Sequence, residues 1–327
     1  MKFGLVPTVD AEGGILAHSL KASGTVFRKG HVVSAEDVVL IATENSHITI
    51  ARLDADDVPE DEAARTLADK LKGQNTEAAP AFTGRANLIA QTAGVMRINA
   101  DILALNAVDE GISLATLADY ARVTERQMVA TVKIIPYAVP VDTLNAAISA
   151  TSGTLDIYPF KIKSASLILT ETPTMKRSLT SKAEAVLRDR LTALEMDDVD
   201  VAVVPHDIEA VRDAIECAEG ELILILGGSA TSDRMDVCPA ALVEAGGSVD
   251  RFGMPVDPGN LLFLGQTGEK QVIGLPGCVR SPALNGADWV LERLVAGLEV
   301  TSHDIAAMGE GGLLKEIPTR PQPRARK

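Results

Sequence analysis

The stretch LILILGGSATSDRMDVCPAALVEAGG, residues 222–247, decides how the second half of the chain folds. Its first part, 222–226, is an uninterrupted apolar run of the length of a buried strand. Gly227 and Gly228 follow, and a helix is predicted to resume near Pro239. Ligands of open α/β sheets bind beyond the carboxyl ends of strands, and glycines let backbone N–H groups approach a phosphate. The stretch therefore predicts a strand, an anion-binding loop and a helix.

The segments on either side of this stretch alternate between strand and helix patterns. Strands are predicted over 165–169 and 199–204, and helices over 181–194 and 208–219. Such alternation indicates a parallel sheet covered on both faces. The predicted fold class is α/β, namely a three-layer αβα domain with a mostly parallel sheet, preceded by a smaller β-rich α+β N-terminal region.

Changes of pattern along the chain divide it into four predicted parts. They are a β-rich N-terminal module (1–58), a mixed α+β middle region (59–160), the α/β domain (161–303) and a tail (304–327) that ends in the basic, proline-rich PTRPQPRARK. In the first part, Ser34 and Asp37 are close to a capping box and predict the start of a helix.

Two further loops in the second half, 253–265 and 272–286, are rich in glycine, proline and serine. The second follows an apolar strand that ends in Pro276 and a glycine. Arg280 and Ser281 are predicted at the start of the final helix, where they could bind an anionic group. Three such loops at the ends of successive strands predict one shared pocket.

Two carboxylates lie in the loop after the glycine pair. Asp236 is well placed to cap the next helix, which is an ordinary structural role. Capping does not account for Asp233, nor for the crowding of Ser229, Thr231 and Ser232 in the same loop. A glycine pair alone is a weak signal, and the stretch has no G-x-G-x-x-G pattern of a dinucleotide site.

Charge and composition exclude several classes of partner. The formal net charge is −14 and the isoelectric point is about 4.8, so the chain repels nucleic-acid phosphates and anionic lipid surfaces. We therefore expect no nucleic-acid and no membrane partner. The acidic N-terminus and the shortness of the apolar run 222–226 predict a soluble, cytoplasmic protein. Cys217, Cys238 and Cys278 are far apart and predict reduced thiols, with no metal site.

The loops of residues 227–281 resemble those of a known family. Their order, Gly-Gly-x-x-x-x-Asp, then Pro-Gly, then Gly-Leu-Pro-Gly-x-x-x-Ser, is similar to the molybdopterin-binding domain of molybdopterin adenylyltransferases and molybdotransferases. GGSATSD stands where molybdotransferases have Gly-Gly-x-Ser-x-Gly-Asp, which gives Asp233 the position of their essential aspartate. DVCPAAL resembles the adenylyltransferase Asp-Val-Thr-Pro step at Asp236. The resemblance covers residues 163–298, and RKGHVVSAEDVVLI, residues 28–41, faintly resembles the N-terminal segment of molybdotransferases.

This resemblance implies a ligand, a set of site residues and partners. The ligand is molybdopterin or the molybdenum cofactor, with magnesium in an enzymatic role, and the partners are a molybdoenzyme client and further copies of this chain in a homo-oligomer. Asp233 and Asp236 take the catalytic positions. The implied ligand-binding residues are Thr170, Gly227, Gly228, Ser229, Ala230, Thr231, Ser232, Asp233, Pro258, Gly259, Asn260, Pro276, Gly277, Cys278, Arg280 and Ser281.

The chain departs from the family pattern at charged positions. Asp257 and Asn260 stand where molybdotransferases have the two lysines of Lys-Pro-Gly-Lys, and Cys278 replaces an asparagine. A unit charge pair at 4 Å is worth about 4 kcal/mol at an effective dielectric of 20, and less when solvent screens it. Adenylyltransferases also carry an aspartate after the first strand, where this chain has Thr180 and Ser181.

Three functions remain open from the sequence. The first is binding of molybdopterin for its biosynthesis, modification or delivery. The second is a magnesium-dependent adenylyl or molybdo transfer to molybdopterin. The third is a nucleotide pyrophosphatase of the competence-damage type, which shares the same domain. Magnesium-dependent turnover of ATP or dinucleotides separates the enzymes from the binding protein.

Overall fold

The structure is a computed structural model that describes residues 1–314 of the chain. The chain divides into two compact units, residues 1–157 and residues from 158 onward. The proline-rich end of the predicted tail, residues 318–327, lies outside the described residues. The four-part division predicted from the sequence stays a prediction.

The first unit is rich in short strands. Its elements are β1 (Lys2–Pro7), β2 (Ile15–Leu16), β3 (Leu20–Ala22), β4 (Thr25–Phe27), α1 (Ala35–Ala42), β5 (His47–Arg52), β6 (Asp57–Pro59), α2 (Glu60–Leu71), β7 (Thr76–Ala78), β8 (Arg85–Ala90), β9 (Gly94–Ile98), β10 (Ile112–Thr116), β11 (Arg122–Val123), β12 (Met128–Ile134), β13 (Ala138–Pro140), α3 (Val141–Ala150) and β14 (Leu155–Pro159), which runs across the unit boundary. Within the described residues they form small sheets in the orders β1-β5-β2, β10-β12-β8-β7, β11-β9-β14, β13-β6 and β3-β4.

Two separate apolar cores hold the first unit. One includes Leu16 and Ile41 and packs α1 against β2 and β5, while the other includes Leu67 and Leu88 and packs α2 on the sheet of β8. The predicted capping box at the start of α1 is confirmed, because the Ser34 side chain accepts from the backbone N–H of the third helical residue.

The second unit alternates strands and helices. Its elements are β15 (Ser164–Glu171), α4 (Arg177–Thr192), β16 (Asp198–Pro205), α5 (Ile208–Glu216), β17 (Leu222–Leu226), α6 (Val237–Glu244), β18 (Ser248–Phe252), β19 (Phe263–Thr267), β20 (Lys270–Leu275), α7 (Gly286–Val295) and α8 (Ser302–Ala307). The strand predicted at 222–226 is confirmed. Helix α4 begins at Arg177, four residues before the predicted 181, and α8 occupies the first residues of the predicted tail.

One mixed sheet organises the second unit. Its strand order among the described residues is β16-β15-β17-β20-β19-β18, and the first four strands run parallel. Strands β19 and β18 run antiparallel to their neighbours, so the predicted mostly parallel α/β sheet is confirmed. All five residues of β17 are buried, as expected for a central strand between covered faces.

Helices α5 and α6 pack on one face of this sheet. Ile168, Ile223 and Ile225 form a buried cluster with side chains of both helices. Leu167 and Leu224 alternate onto the opposite face and are equally buried. Both faces of the central strands are therefore shielded from water, and polar groups of these strands can meet a ligand only at the strand ends.

A glycine in β20 makes room for the largest buried side chain of the sheet. Phe263 of β19 pairs directly with Gly274, and a Cβ at position 274 would fall inside the phenyl ring. The ring is buried, and the neighbouring strand backbone fixes its position. The aromatic ring thus covers the glycine across the strand pair.

We expect Gly274→Ala to destabilise the second unit. The added methyl group must displace the buried ring of Phe263, and such overpacking lowers the free energy of unfolding by about 1–3 kcal/mol. Urea denaturation monitored by circular dichroism measures the change. The control is Gly309→Ala, whose Cβ would meet its nearest atom at 3.6 Å and should change stability by less than about 0.5 kcal/mol. Equal stability of the two variants would contradict the packing described here.

Candidate functional site

The three predicted loops lie at one edge of the sheet. Leu226 at the end of β17 pairs with Leu275 at the end of β20, so both strands end together. Phe263 at the start of β19 pairs with Gly274 near the end of β20, and with Phe252 at the end of β18. The loop between β18 and β19 therefore lies at this same edge. That the three loops line a single pocket stays a prediction.

Arg280 joins two of the loops. Its Nη2 donates to the carbonyl oxygen of Gly227 at 2.7 Å, which ties the loop after β20 to the loop after β17. The prediction that Arg280 begins the final helix is wrong. Arg280 ends a 3₁₀ turn that starts at Gly277, whereas α7 begins six residues later under the cap of Asn285. The cause is the capping box of Asn285 and Asp288, which sets the true helix start.

The charge of Arg280 is not compensated by a carboxylate. Burial lowers the pKa of the guanidinium from its usual value. The group still carries its charge at neutral pH, because arginine does not lose its proton in proteins. Within residues 1–314 it forms no ion pair, and its hydrogen bonds go to the carbonyls of Gly227 and Gly277. A half-buried cation without a counter-charge favours an anionic ligand beside it.

The loop after β17 contains backbone groups without partners. Gly228 donates its N–H to the hydroxyl of Thr170 at 2.6 Å. The residues that follow, 229–231, make no hydrogen bond within the described part of the chain, and Ser229 and Ala230 are exposed. The next N–H group of the loop is already used, because Ser232 donates it to Asp236. Open backbone N–H groups at the end of a strand are suited to bind phosphate oxygens.

The structure gives Asp236 the role of helix cap. Its Oδ2 accepts from Ser232 N at 3.0 Å and its Oδ1 from Val237 N at 2.9 Å. The hydrogen bond from Ser232 is the main cause that lowers the pKa of this carboxyl, with His206 also contributing. Both oxygens are engaged at the start of α6. The catalytic role of Asp236 stays a prediction.

Asp233 is exposed and has a smaller local role. Its Oδ1 accepts from the N–H of Met235 at 2.8 Å, and its backbone carbonyl accepts from the N–H of Asp236. Its Oδ2 makes no hydrogen bond among residues 1–314. One oxygen of Asp233 is therefore open to a ligand, and its catalytic and binding roles stay predictions.

Thr170 connects the loop after β17 (residues 227–236, called the glycine loop) to a histidine. The threonine is buried at the end of β15, and its hydroxyl lies 2.7 Å from Nδ1 of His206, which directly follows β16. The same hydroxyl accepts from Gly228. The sequence reasoning included Thr170 but missed His206. No spacing or motif marks this histidine, and only the strand order brings it to the site.

A cavity of about 620 Å³ opens at the ends of β15 and β16. It lies beside Thr170 and contains none of the residues predicted from the sequence. Its lining residues are Glu171, Thr172, Pro173, Met175, Arg177, Val203, Val204, Pro205, His206 and Asp207. The sequence indicated this cavity only through the two loops that follow the parallel strands β15 and β16.

The segment Pro258–Asn260 makes hydrogen bonds to α7 and to Met254. The N–H of Gly286 at the start of α7 donates to the carbonyl of Pro258 at 2.8 Å, and a Cβ on Gly259 would strike the same glycine. Asn260 is exposed and donates from its side chain to Met254. Within residues 1–314 no hydrogen bond joins this segment to the glycine loop, so its place in a common pocket stays a prediction.

Arg190 of α4 shapes the loop that holds Pro276, Gly277, Cys278 and Ser281. Its guanidinium donates to the carbonyls of Val279, Ser281 and Ala283 and to the carboxylate of Asp288 at 2.8–2.9 Å. Cys278 is half-buried in this loop. Sequence reasoning missed Arg190, because it lies inside an ordinary amphipathic helix with no motif.

The thiol of Cys238 has no reactive character. It lies under the glycine loop, and burial raises its pKa to about 12. A thiol rather than a thiolate is therefore present at neutral pH, and the thiolate is the reactive form.

The donor groups of the site do not form a ready magnesium site. Among residues 1–314 no group of three or more His, Cys, Asp or Glu side chains is arranged to hold a metal ion. Asp236 has both oxygens bound to backbone N–H groups, which leaves Asp233 as the one open carboxylate of the glycine loop. Magnesium is usually held by one or two carboxylates together with waters and substrate phosphates, so Asp233 alone would hold an ion only beside a bound phosphate.

No helix among the described residues is long and apolar enough to cross a lipid bilayer.

Sequence families match two parts of the chain. Residues 5–52 match a domain of unknown function (DUF8806), and residues 166–295 match a probable molybdopterin binding domain. No curated protein matches the chain.

Solved structures similar to this chain have low sequence identity to it. The molybdopterin biosynthesis moea protein from Pyrococcus horikosii is 15% identical over 90% of this chain and 75% of that chain, with a TM-score of 0.33. Molybdenum cofactor biosynthesis protein B is 17% identical over 42% of this chain and 96% of its own, with a TM-score of 0.31. A MogA structure is 21% identical over 41% of this chain and 90% of its own, with a TM-score of 0.25.

The match over residues 166–295 covers the sheet, except the first two residues of β15, and the three loops at its carboxyl edge. The glycine loop, the Pro-Gly loop and the loop of Arg280 all fall inside it. The domain formed by residues 166–295 belongs to the family of probable molybdopterin binding domains.

Proposed function

We propose that this protein binds molybdopterin or the molybdenum cofactor and acts in its biosynthesis, modification or delivery. The observation that carries the proposal is the half-buried guanidinium of Arg280, which has no ion pair within residues 1–314 and lies against the carbonyl of Gly227. The open backbone N–H groups of 229–231 lie in the same loop. Together these groups suit the terminal phosphate of the pterin.

The remaining loops complete the proposed ligand site. Pro276, Gly277 and Cys278 belong to the turn that carries Arg280, so they lie next to the phosphate. Pro258–Asn260 lies at the same sheet edge and forms the far wall. The three-layer αβα arrangement is supported by the burial of both sheet faces. Cytoplasmic localisation, a homo-oligomer and a molybdoenzyme client belong to the proposal as well.

A second candidate function is transfer of an adenylyl or molybdo group to molybdopterin. The open Oδ2 of Asp233 favours it, because a carboxylate beside the phosphate could help to hold a magnesium ion brought by a nucleotide. Asp236 does not add to this function while both of its oxygens accept from backbone N–H groups. Binding without transfer therefore remains the first proposal.

We expect Arg280→Gln to weaken molybdopterin binding about tenfold to a hundredfold, because a charge-assisted contact worth about 1.5–3 kcal/mol is lost. Isothermal titration with molybdopterin measures the affinity. The matched control is Arg234→Gln in the glycine loop, since the Arg234 guanidinium donates to the carbonyl of Val249 and not to a loop of the site. Melting curves check that both variants fold. Unchanged affinity of Arg280→Gln would remove the phosphate site proposed here.

Substitutions of the two aspartates in the glycine loop should have different effects on stability and on ligand affinity. Asp233→Asn retains an oxygen for the N–H of Met235, so the free energy of unfolding should not change. The affinity for molybdopterin should fall about tenfold to a hundredfold. Asp236→Ala removes the cap of α6 and should lower the free energy of unfolding by about 0.5–2 kcal/mol with affinity nearly unchanged. Calorimetric titration and thermal melts of both variants decide the matter. Equal affinity of wild type and Asp233→Asn would retire Asp233 as a site residue.

The cap of Asp236 also predicts a pH dependence. The folded state lowers the pKa of this carboxyl, so its contribution is fully present above the unfolded pKa of about 3.9 and is lost as the pH falls through the lower folded value. The stability difference between wild type and Asp236→Ala should therefore be constant near neutral pH and shrink in acid.

We expect the protein not to insert molybdate efficiently. Asp257 places a negative charge, and Asn260 no charge, where the resembling molybdotransferases have lysines, so a second anion beside the phosphate is held poorly. The test is formation of active cofactor from molybdopterin at micromolar molybdate, compared with the double variant Asp257→Lys and Asn260→Lys, which should form more. Robust formation by the wild type would show that other cations, such as Lys176, Arg177 or Arg280, compensate.

A further inference from the structure

We infer that the cavity at the ends of β15 and β16 holds the heterocyclic ring of the ligand, with His206 as a hydrogen-bond donor to that ring. The inference rests on the proposed function, since it assigns the ring of a phosphorylated pterin whose phosphate lies at Arg280. It concerns a cavity that contains none of the residues predicted from the sequence.

The hydrogen bonds of Thr170 fix the tautomer of His206. The buried hydroxyl accepts from Gly228 N–H, and within residues 1–314 its own hydrogen has one acceptor in reach, Nδ1 of His206 at 2.7 Å. Nδ1 then accepts from the hydroxyl, and the ring N–H lies on Nε2. A proton on Nδ1 would leave the hydroxyl hydrogen of Thr170 buried without an acceptor, which is costly. His206 therefore presents its Nε2–H as a donor.

The walls of the cavity suit a flat ring better than a phosphate. Pro173, Met175, Val203 and Pro205 provide apolar surface. The charged lining residues other than His206 are Glu171, Asp207 and Arg177, which together carry an excess of one negative charge. An anion is repelled by this excess. A pterin ring offers amino and N–H donors to the carboxylates and a carbonyl oxygen to the histidine.

The strand order allows one ligand to reach both parts of the site. His206 follows β16 and Gly227 follows β17, and β15 with Thr170 lies between them. The imidazole of His206 lies beside the loop after β17, because a Cβ added to Gly227 would lie 3.6 Å from its Cε1. The Thr170 hydroxyl forms hydrogen bonds with His206 on one side and Gly228 on the other. A ligand whose ring and phosphate lie at opposite ends can therefore cover Thr170, with its ring over β16 and its phosphate toward the loop of Arg280.

The test uses 6-hydroxymethylpterin, a pterin without phosphate, whose fluorescence reports binding. In Val203→Phe a phenyl ring narrows the cavity, and position 203 tolerates it because Val203 is 49% exposed. In His206→Phe the donor is lost and a ring is retained. We expect both variants to bind the probe at least tenfold more weakly than wild type. The matched control Val243→Phe, at a position on α6 that is 55% exposed and outside the cavity, should bind as wild type.

A second readout tests the tautomer itself. Nitrogen chemical shifts of His206 should show a proton on Nε2 in the wild type and in Thr170→Ser, and a mixture of tautomers in Thr170→Val. A proton on Nδ1 in the wild type would overturn the role given to the histidine.

The outcomes also separate this inference from the proposed function. If wild type fails to bind 6-hydroxymethylpterin, or if Val203→Phe and His206→Phe bind it normally, the ring assignment is overturned. Molybdopterin binding that still depends on Arg280 would then leave the proposed function intact. If molybdopterin does not bind at all, the proposed function fails with it. Arg234→Gln, whose guanidinium donates to Val249, should leave the affinity for the phosphate-free probe unchanged.

Discussion

Burial of the central strands on both faces is the constraint on which the second unit depends. All five residues of β17 are apolar and buried, so their side chains carry no polar group and their backbone groups are used by β15 and β20. Chemistry is then confined to the carboxyl ends of the strands. Thr170 is the last buried polar side chain of β15, and its hydroxyl accepts from Gly228 in the loop after β17.

The same constraint explains what the sequence could predict. A run such as 222–226 is recognisable because a parallel strand buried on both faces must be continuously apolar, and the glycine pair after it must be a loop. The family pattern in residues 227–281 likewise depends on local loop chemistry. Local chemistry also marked Ser34 as a helix cap, and the structure has that cap. These features needed no knowledge of which strands are neighbours.

The sequence could not give the contacts made between loops. His206 and Gly228 are 22 residues apart and meet only because β15 lies between β16 and β17. Arg280 was placed at the wrong helix start, because a 3₁₀ turn and an Asn cap a few residues apart look alike in a string of Gly, Pro and Ser. Arg190 had no signal at all, since one arginine of an amphipathic helix resembles another.

The distribution of charge around the proposed site favours one orientation of a bound ligand. The chain as a whole is acidic, and both Asp233 and the cavity carboxylates add to this at the sheet edge. Against that background Arg280, a cation without a carboxylate partner within residues 1–314, has a large influence on where an anionic group can lie. A ligand that is anionic at one end and rich in hydrogen-bond donors at the other fits in one orientation only. In the proposed site the acidic surroundings would act as a specificity element, because they oppose a second anion and orient the first ligand.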